Sequence, residues 1–600
     1  IEFDTPEERQ TAYLLASQSV VMLKNNGVLP LRTEFSKLMK VAITGPNANE
    51  MWAMTGDYSY QAMRYFWKTQ IESDQHPKIV SLKDGSRKPL FTKLSGGLGV
   101  SPSGKYLTWY DSDESCWFSY NVATGEKVNL TGGLDGIFFN DEDDHPSPKP
   151  AIDGPHWIEG DEAFLMADKF DLWKIPPDGK KAENLTCGEG RRNNVQYRLT
   201  DLRYNDLTGE ERSLGKSMPI GRKDVVMMTV FDRNTKQNGF ATLQITKPGI
   251  ISSFTAPWTF TNVKKARSAD VIAYLKGNFN NCNDAYVTRD LWNSEQKLSA
   301  INPQKADYSW GDVRLVKWNA YDGTPLEGLL YTPENYDPKG KYPMMVYFYE
   351  KNAQTMYNFI TPAPSRSIIC IPFYVSRGYV VFVPDIVYKD GHPGESAYNC
   401  ICAGTEAMCE QFPFIDRTRM AIQGQSWGGY QTAYLVTRTN MYAAAGAGAP
   451  VSNMTSAYGG VRWGSGVFRA MQYEHGQSRI GKSLWDEGGF DLYVENSPVF
   501  FADKVQTPLL IMHNDSDGAV PWYQGLEYFM ALRRNGKPCW LLEYNREEHN
   551  LNERRNCKDL SRRLQQFFDH YLKGDPMPAW MKTGVPYSRK GQYYGFEYAE

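Results

Sequence analysis

The residues best placed to do chemistry lie in AIQGQSWGGY, residues 421–430, where Gly424 and Gly428 flank Ser426 as G-x-S-x-G and Gly429 follows. Ala421, Ile422 and Gln423 read as the end of a buried strand, and Gln431 to Arg438 as a helix. A serine on a sharp turn from strand to helix is a nucleophile elbow. The turn lifts the hydroxyl out of the sheet and aims the Trp427 amide at the same space. Glycine is required on such a turn because its flanks leave no room for side chains. The competing reading is a glycine-rich turn with a solvated serine, and the strand–turn–helix context favours the nucleophile.

A serine needs a base, and the base needs a carboxylate to orient it. With this elbow the chain order is Ser, then Asp or Glu, then His. Of the eight histidines, His475, His513, His549 and His570 follow Ser426. His570 falls inside an amphipathic helix pattern with Leu560, Leu564, Phe567 and Tyr571. His475 lies in a polar glycine-containing stretch with no strand before it, and His513 sits at a strand end as a supporting residue. His549 remains, in the loop after the strand-like run Trp540 to Tyr544. The strand Leu509 to Met512 runs into a polar loop that holds Asp517, with Asp515 as the competing acid. The candidate catalytic set is therefore Ser426, Asp517 and His549.

GQSWGGY, HNDSDGAVPWYQG and EEHNL together resemble the catalytic domain of the prolyl oligopeptidase family of serine peptidases, in its dipeptidyl- and acylaminoacyl-peptidase-like branch. The likeness extends upstream through residues 322–352 and 378–396, and covers about residues 311–575. It implies that a tyrosine after the YPMMV strand lends its hydroxyl to the oxyanion hole. That residue is Tyr349, or Tyr347 if the register slips by two, and the second donor is the Trp427 N–H. It also implies substrate contacts from the segment after APVSN, here Met454 and Tyr458, and from Val520. The aromatic walls of that branch's proline pocket are largely missing from residues 454–458, and Ala519 stands where it has an asparagine.

Composition excludes other classes. Hydrophobic content of 41%, charged content of 22% and a net charge of −3 describe a globular chain with no case for nucleic acid. No stretch approaches the ~20 apolar residues of a membrane span. The nine cysteines are scattered, and Cys400, Cys402 and Cys409 lack zinc spacing with histidine, so no metal or other cofactor is expected. The chain opens on Ile1, and a trimmed start is expected.

Six hundred residues exceed a single core. Residues 1–63 read as a helix from Pro6 to Leu23, then a strand from Val41 to Thr44. SVVMLKNNGVLPL, VAITGPNAN and GDYS in this stretch are similar to the start of the second domain of family-three glycoside hydrolases. That family's nucleophile-bearing barrel has no counterpart here, so Asp57 is not expected to be catalytic and the segment reads as a structural α/β fragment. Residues 64–312 are short strands separated by turn residues. Residues 101–133 echo 158–190: Trp117 matches Trp173, and the NLT at Asn129 matches that at Asn184. A weaker copy spans 284–304. The repeat is similar to the β-propeller that precedes the hydrolase domain in the same peptidase family, here with about four or five blades. The NLT triplets match glycan acceptors, but their repeat position makes them blade turns.

The expected architecture is thus an α/β hydrolase domain at 313–600 with a doubly wound, mainly parallel sheet, preceded by an incomplete all-β propeller and the N-terminal fragment. An open propeller edge, or the fragment, offers a surface for a second copy of the chain. The chemistry expected is acyl transfer to Ser426 and hydrolysis of the acyl-enzyme, on a peptide or acyl-ester substrate, with neither nucleic acid nor a membrane as partner. A peptidase for short peptides is the favoured reading. A carbohydrate acyl esterase, feruloyl or acetyl, is the alternative, and a non-catalytic interaction protein is the third.

Overall fold

Four consecutive antiparallel meanders of four strands each precede a large mixed sheet. The computed structural model describes residues 78–80, 86–89, 97–202, 218–290 and 292–598. The helix, strand and Asp57 read in residues 1–63 lie outside these. Lys78–Val80 and Arg87–Pro89 pair as an antiparallel hairpin.

The internal repeat becomes the first two meanders. The first runs from Leu98–Val100 to Lys127–Asn129 and the second from His156–Trp157 to Glu183–Asn184. Each NLT closes its meander in the same way. Thr131 Oγ1 accepts the Trp117 N–H at 2.9 Å, and Thr186 Oγ1 accepts the Leu172 N–H at 3.2 Å. Asn129 Oδ1 accepts the Gly132 N–H at 2.8 Å, and Asn184 Oδ1 the Gly188 N–H at 3.3 Å. The asparagine Oδ1 atoms thus hold the turn and the threonines tie it to another strand of the meander, which explains why the triplet recurs. Tyr106, Trp157, Phe164 and Trp173 form the core between the two sheets. The third and fourth meanders span Val195–Thr200 to Ile250–Ala256 and Thr259–Lys265 to Gln296–Lys297. They meet through stacked aromatics, with Phe240 and Trp292 at 4.1 Å. The four sheets are consistent with propeller blades.

The mixed sheet has eight strands: β1 Asp312–Asn319, β2 Pro325–Thr332, β3 Tyr342–Tyr347, β4 Val380–Pro384, β5 Ile415–Gln425, β6 Ala444–Gly448, β7 Leu509–Met512 and β8 Cys539–Leu542. Their order is β1-β2-β4-β3-β5-β6-β7-β8. β1 and β2 pair antiparallel at one edge, β2 is antiparallel to β4, and the other pairs are parallel. Parallel strands are buried on both faces, hence the short apolar runs rather than alternation. The flanking helices are α1 Ile371–Ser376, α2 Pro393–Gln411, α3 Trp427–Arg438, α4 Tyr523–Arg534 and α5 Arg554–Lys573. One face packs on α2, α3 and α4 through Ile401, Leu435 and Leu532. The other packs on α1 and α5 through Val375, Leu564 and Phe568. Cys400, Cys402 and Cys409 are free and buried on α2. Among the described residues no helix is long and apolar enough to cross a membrane.

Candidate active site

β5 runs two residues beyond its predicted end, to Gln425, and α3 starts at Trp427 rather than at Gln431. Ser426 is the single residue between them, with φ 62° and ψ −114°. Close packing overrides the low helix propensity of the two glycines on α3. A Cβ on Gly429 would lie 2.0 Å from Gly448 O on β6, and one on Gly428 would lie 2.5 Å from Phe348 O. Gly424 and Gly428 also approach each other, with Gly428 O 2.3 Å from a Gly424 Cβ. The glycines thus let α3 drop directly onto the strand ends, and the chain accepts a strained non-glycine residue at the corner.

Asp517 and His549 sit on loops beyond β7 and β8, the carboxyl end of the sheet. His549 Nδ1 is 2.7 Å from Asp517 Oδ2. A carboxylate only accepts, so Nδ1 carries a proton, and in the neutral imidazole the lone pair is on Nε2. Gln425 Nε2 donates to the His549 carbonyl at 2.9 Å, which ties the histidine loop to the residue before Ser426. The Asp517 side chain is fully buried. Its Oδ1 accepts the Ala519 and Val520 N–H groups, each at 2.8 Å. His513 Nε2 lies 3.4 Å from Oδ2. Burial pushes the Asp517 carboxyl up, but hydrogen bonds and charge from His513 and His549 outweigh it and hold it well below the usual carboxylate range. His513 Nδ1 accepts the Gly525 N–H at 3.1 Å, so its Nε2 carries the proton and donates to the Val520 carbonyl at 3.1 Å, beside the acid. Asp515 is engaged elsewhere, accepting the Arg546 N–H at 2.6 Å and Asn545 Nδ2 at 2.8 Å.

Tyr349 and Tyr347 separate cleanly. Tyr347 packs with the α1 and α5 face, where burial pushes its phenol up to about 12. Tyr349 packs against the cluster that contains Trp427, with its ring 3.8 Å from the position of a Gly428 Cβ. The Trp427 N–H is the first of α3 and has no intrahelical acceptor, which leaves it for a ligand oxygen. Met454, Tyr458 and Val520, read as substrate contacts, are all buried in that same cluster. The Tyr458 hydroxyl donates to Glu474. Exposed aromatics nearby include Trp463, on the hairpin that packs against Gly518, and Trp485, whose ring meets Tyr458 at 5.6 Å. His475 Nδ1 faces Pro146 O at 3.1 Å, and His570 Nδ1 faces Asp575 O at 2.7 Å.

The local sequence gives no sign of a polar cluster beside Tyr349. Arg479 is almost wholly buried and donates to Asp144 Oδ1 through Nε at 3.0 Å and Nη2 at 2.7 Å. Its Nη2 also reaches Glu350 Oε2 at 3.2 Å, and its guanidinium stacks 4.1 Å over Tyr388. Gln477 Nε2 donates to Tyr349 Oη at 3.0 Å and to Glu350 Oε1 at 3.1 Å. Asp144 belongs to the loop between the first two meanders, and Asp143, Asp144 and His145 could in principle ligate a cation. Asp144 is already committed to Arg479 and to the Tyr388 N–H at 3.1 Å.

Residues 370–575 match the prolyl oligopeptidase family. The chain is 27% identical over 293 residues to the uncharacterized peptidase YuxL of Bacillus subtilis, a match covering 47% of this chain and 43% of that protein. It is 27% identical over 274 residues to the acylamino-acid-releasing enzyme of Sus scrofa, covering 43% and 37%. These matches thus span less than half the length of the curated relatives. Among solved structures, a putative dipeptidyl aminopeptidase IV from Bacteroides ovatus superposes with a TM-score of 0.56 at 17% identity, over 82% of this chain and 69% of that one. A puromycin hydrolase does so with a TM-score of 0.56 at 16% identity, over 84% and 73%. The shared fold includes the hydrolase domain, and the family match with its peptidase relatives makes the chain a serine hydrolase.

Proposed function

We propose that the chain is a serine peptidase acting on short peptides. Ser426 Oγ attacks the scissile carbonyl carbon while its proton passes to His549 Nε2. His549 then gives that proton to the leaving amine as the C–N bond breaks, and water repeats the sequence on the acyl-enzyme. Asp517 fixes the imidazole tautomer and stabilises the imidazolium. Tyr349 Oη and the Trp427 N–H donate to the oxyanion. The observation that carries the reading is the 2.7 Å His549–Asp517 pair, with the His549 loop bonded to Gln425, one residue from the strained serine. Peptides are the favoured substrates because the relatives matching this region are named a peptidase and an acylamino-acid-releasing enzyme. In the same reading residues 64–312 are a shortened propeller and 313–600 the catalytic domain, and the buried Met454, Tyr458 and Val520 shape the substrate pocket from behind its surface.

A panel of dipeptidyl and N-acylaminoacyl p-nitroanilides set against acetylated xylan and methyl ferulate tests this. Turnover of the anilides is expected, and hydrolysis of the carbohydrate esters alone would reject the peptidase reading. Tyr349→Phe should lower kcat roughly a hundredfold with KM within about threefold, the signature of a donor that acts on developing charge. Tyr347→Phe should leave kcat near the parent value, and the reverse result would move the oxyanion donor by two residues.

A further inference from the structure

The donor pattern around Tyr349 says which way its hydroxyl hydrogen points. Glu350, the next residue in sequence, presents Oε1 to Gln477 at 3.1 Å and Oε2 to Arg479 at 3.2 Å. A carboxylate offers only lone pairs, so the end of the Gln477 amide that faces it must be the NH2. The same NH2 reaches Tyr349 Oη at 3.0 Å. The Tyr349 oxygen is therefore an acceptor on that side, and its own hydrogen is free to donate elsewhere. Arg479 holds Glu350 in place and also donates through Nη1 to the main-chain carbonyl of Gln477 at 2.7 Å, which fixes the backbone there. Asp144, 335 residues earlier in the chain, neutralises the buried guanidinium. The backbone of Tyr349 is fixed as well: its carbonyl accepts Gln431 Nε2 at 3.1 Å and the Tyr388 hydroxyl at 3.3 Å.

We infer that Gln477 is a positioning residue that sets the polarity of the oxyanion tyrosine, with Glu350, Arg479 and Asp144 fixing its amide orientation. Building on the oxyanion role proposed for Tyr349, it assigns a task to four residues outside the triad. An isolated tyrosine hydroxyl rotates and donates to whatever acceptor is near. Here each Glu350 oxygen already accepts a donor, from Gln477 and from Arg479, and the Gln477 NH2 occupies that side of the Tyr349 oxygen, so the hydrogen is kept for the substrate oxygen before it arrives. Pre-aimed donors of this kind cost no reorganisation during reaction.

The test inverts the polarity at constant shape. Gln477→Glu puts an acceptor beside Tyr349 Oη, and the hydroxyl then donates to it instead of to the oxyanion. At pH 8, kcat on a peptidyl anilide should fall roughly 30- to 100-fold with KM within about threefold, approaching the loss for Tyr349→Phe. Gln477→Ala removes the donor without adding an acceptor and should lose less than about fivefold. Glu350→Gln/Gln477→Glu removes the repulsion between two carboxylates but keeps the acceptor, and should stay as slow as Gln477→Glu while recovering any lost thermal stability. In a Tyr349→Phe background Gln477→Glu should change kcat by less than about twofold, because the hydroxyl it acts on is gone. Recovery of kcat in the double variant would show charge repulsion instead of polarity and overturn the proposal. So would Gln477→Glu within threefold of the parent, or a loss that adds fully to that of Tyr349→Phe. If Tyr349→Phe alone leaves kcat unchanged, the oxyanion assignment fails and the Gln477 proposal fails with it, whereas a slow Tyr349→Phe with a fast Gln477→Glu rejects only the latter.

Discussion

Ser426→Ala should abolish hydrolysis, with kcat falling by roughly five to six orders of magnitude, as when the nucleophile of a triad is removed. Its thermal stability should stay close to that of the parent. The backbone strain at φ 62° belongs to the corner itself, and alanine carries the same Cβ as serine. No hydrogen bond that Ser426 makes through its backbone is altered: its N–H still donates to Gly448 O at 2.8 Å, and its carbonyl still accepts the Tyr430 N–H at 2.9 Å. Steady-state assays with a peptidyl anilide, paired with thermal unfolding, check both halves. Residual turnover within tenfold of the parent would place the nucleophile elsewhere.

His549→Ala should lose a comparable amount, and Asp517→Asn roughly four orders of magnitude. The asparagine case follows from the donor count. Asp517 Oδ1 accepts two backbone N–H groups from Ala519 and Val520, and after the substitution these would hold the oxygen of the new side-chain amide in that place. The amide NH2 would then face His549 Nδ1 and force that nitrogen to accept. The proton would move to Nε2, leaving no lone pair to take the serine proton. Asp515→Asn should be nearly silent, because Asp515 binds Arg546 and Asn545 and not His549. A crippled Asp515→Asn beside a mild Asp517→Asn would reverse the assignment of the acid.

The parts of the site that the sequence makes legible are local. The G-x-S-x-G turn, the acid loop after an apolar strand and the histidine loop after the next one each lie within about ten residues of their own positional cue, and a parallel sheet delivers such loops to one edge. The strand and helix boundaries at the elbow differ from the sequence pattern by two to four residues. The cause is tertiary: the approach of α3 to Gly448 and Phe348 is invisible in the local pattern. The internal repeat is legible because in both copies the NLT threonine accepts an N–H from another strand of its meander and the asparagine one from the turn that follows.

The rest is hidden by sequence distance. Asp144 and Arg479 are 335 residues apart, and neither residue's neighbours suggest a buried ion pair. The run DEDDH at 141–145 reads as a solvated loop, and Gln477 as one polar residue among several in EHGQS. Met454 and Tyr458 are contact residues by resemblance, whereas their side chains pack into the aromatic cluster under Trp427.

The account rests on Ser426 being the activated nucleophile, and covalent labelling tests that most directly. The chain would be treated with a fluorophosphonate, digested, and the adduct located by mass spectrometry. One adduct is expected, on the peptide containing Ser426, absent from His549→Ala and Asp517→Asn on the same timescale. An adduct on another serine, or no adduct in a chain that still hydrolyses peptidyl anilides, would contradict it.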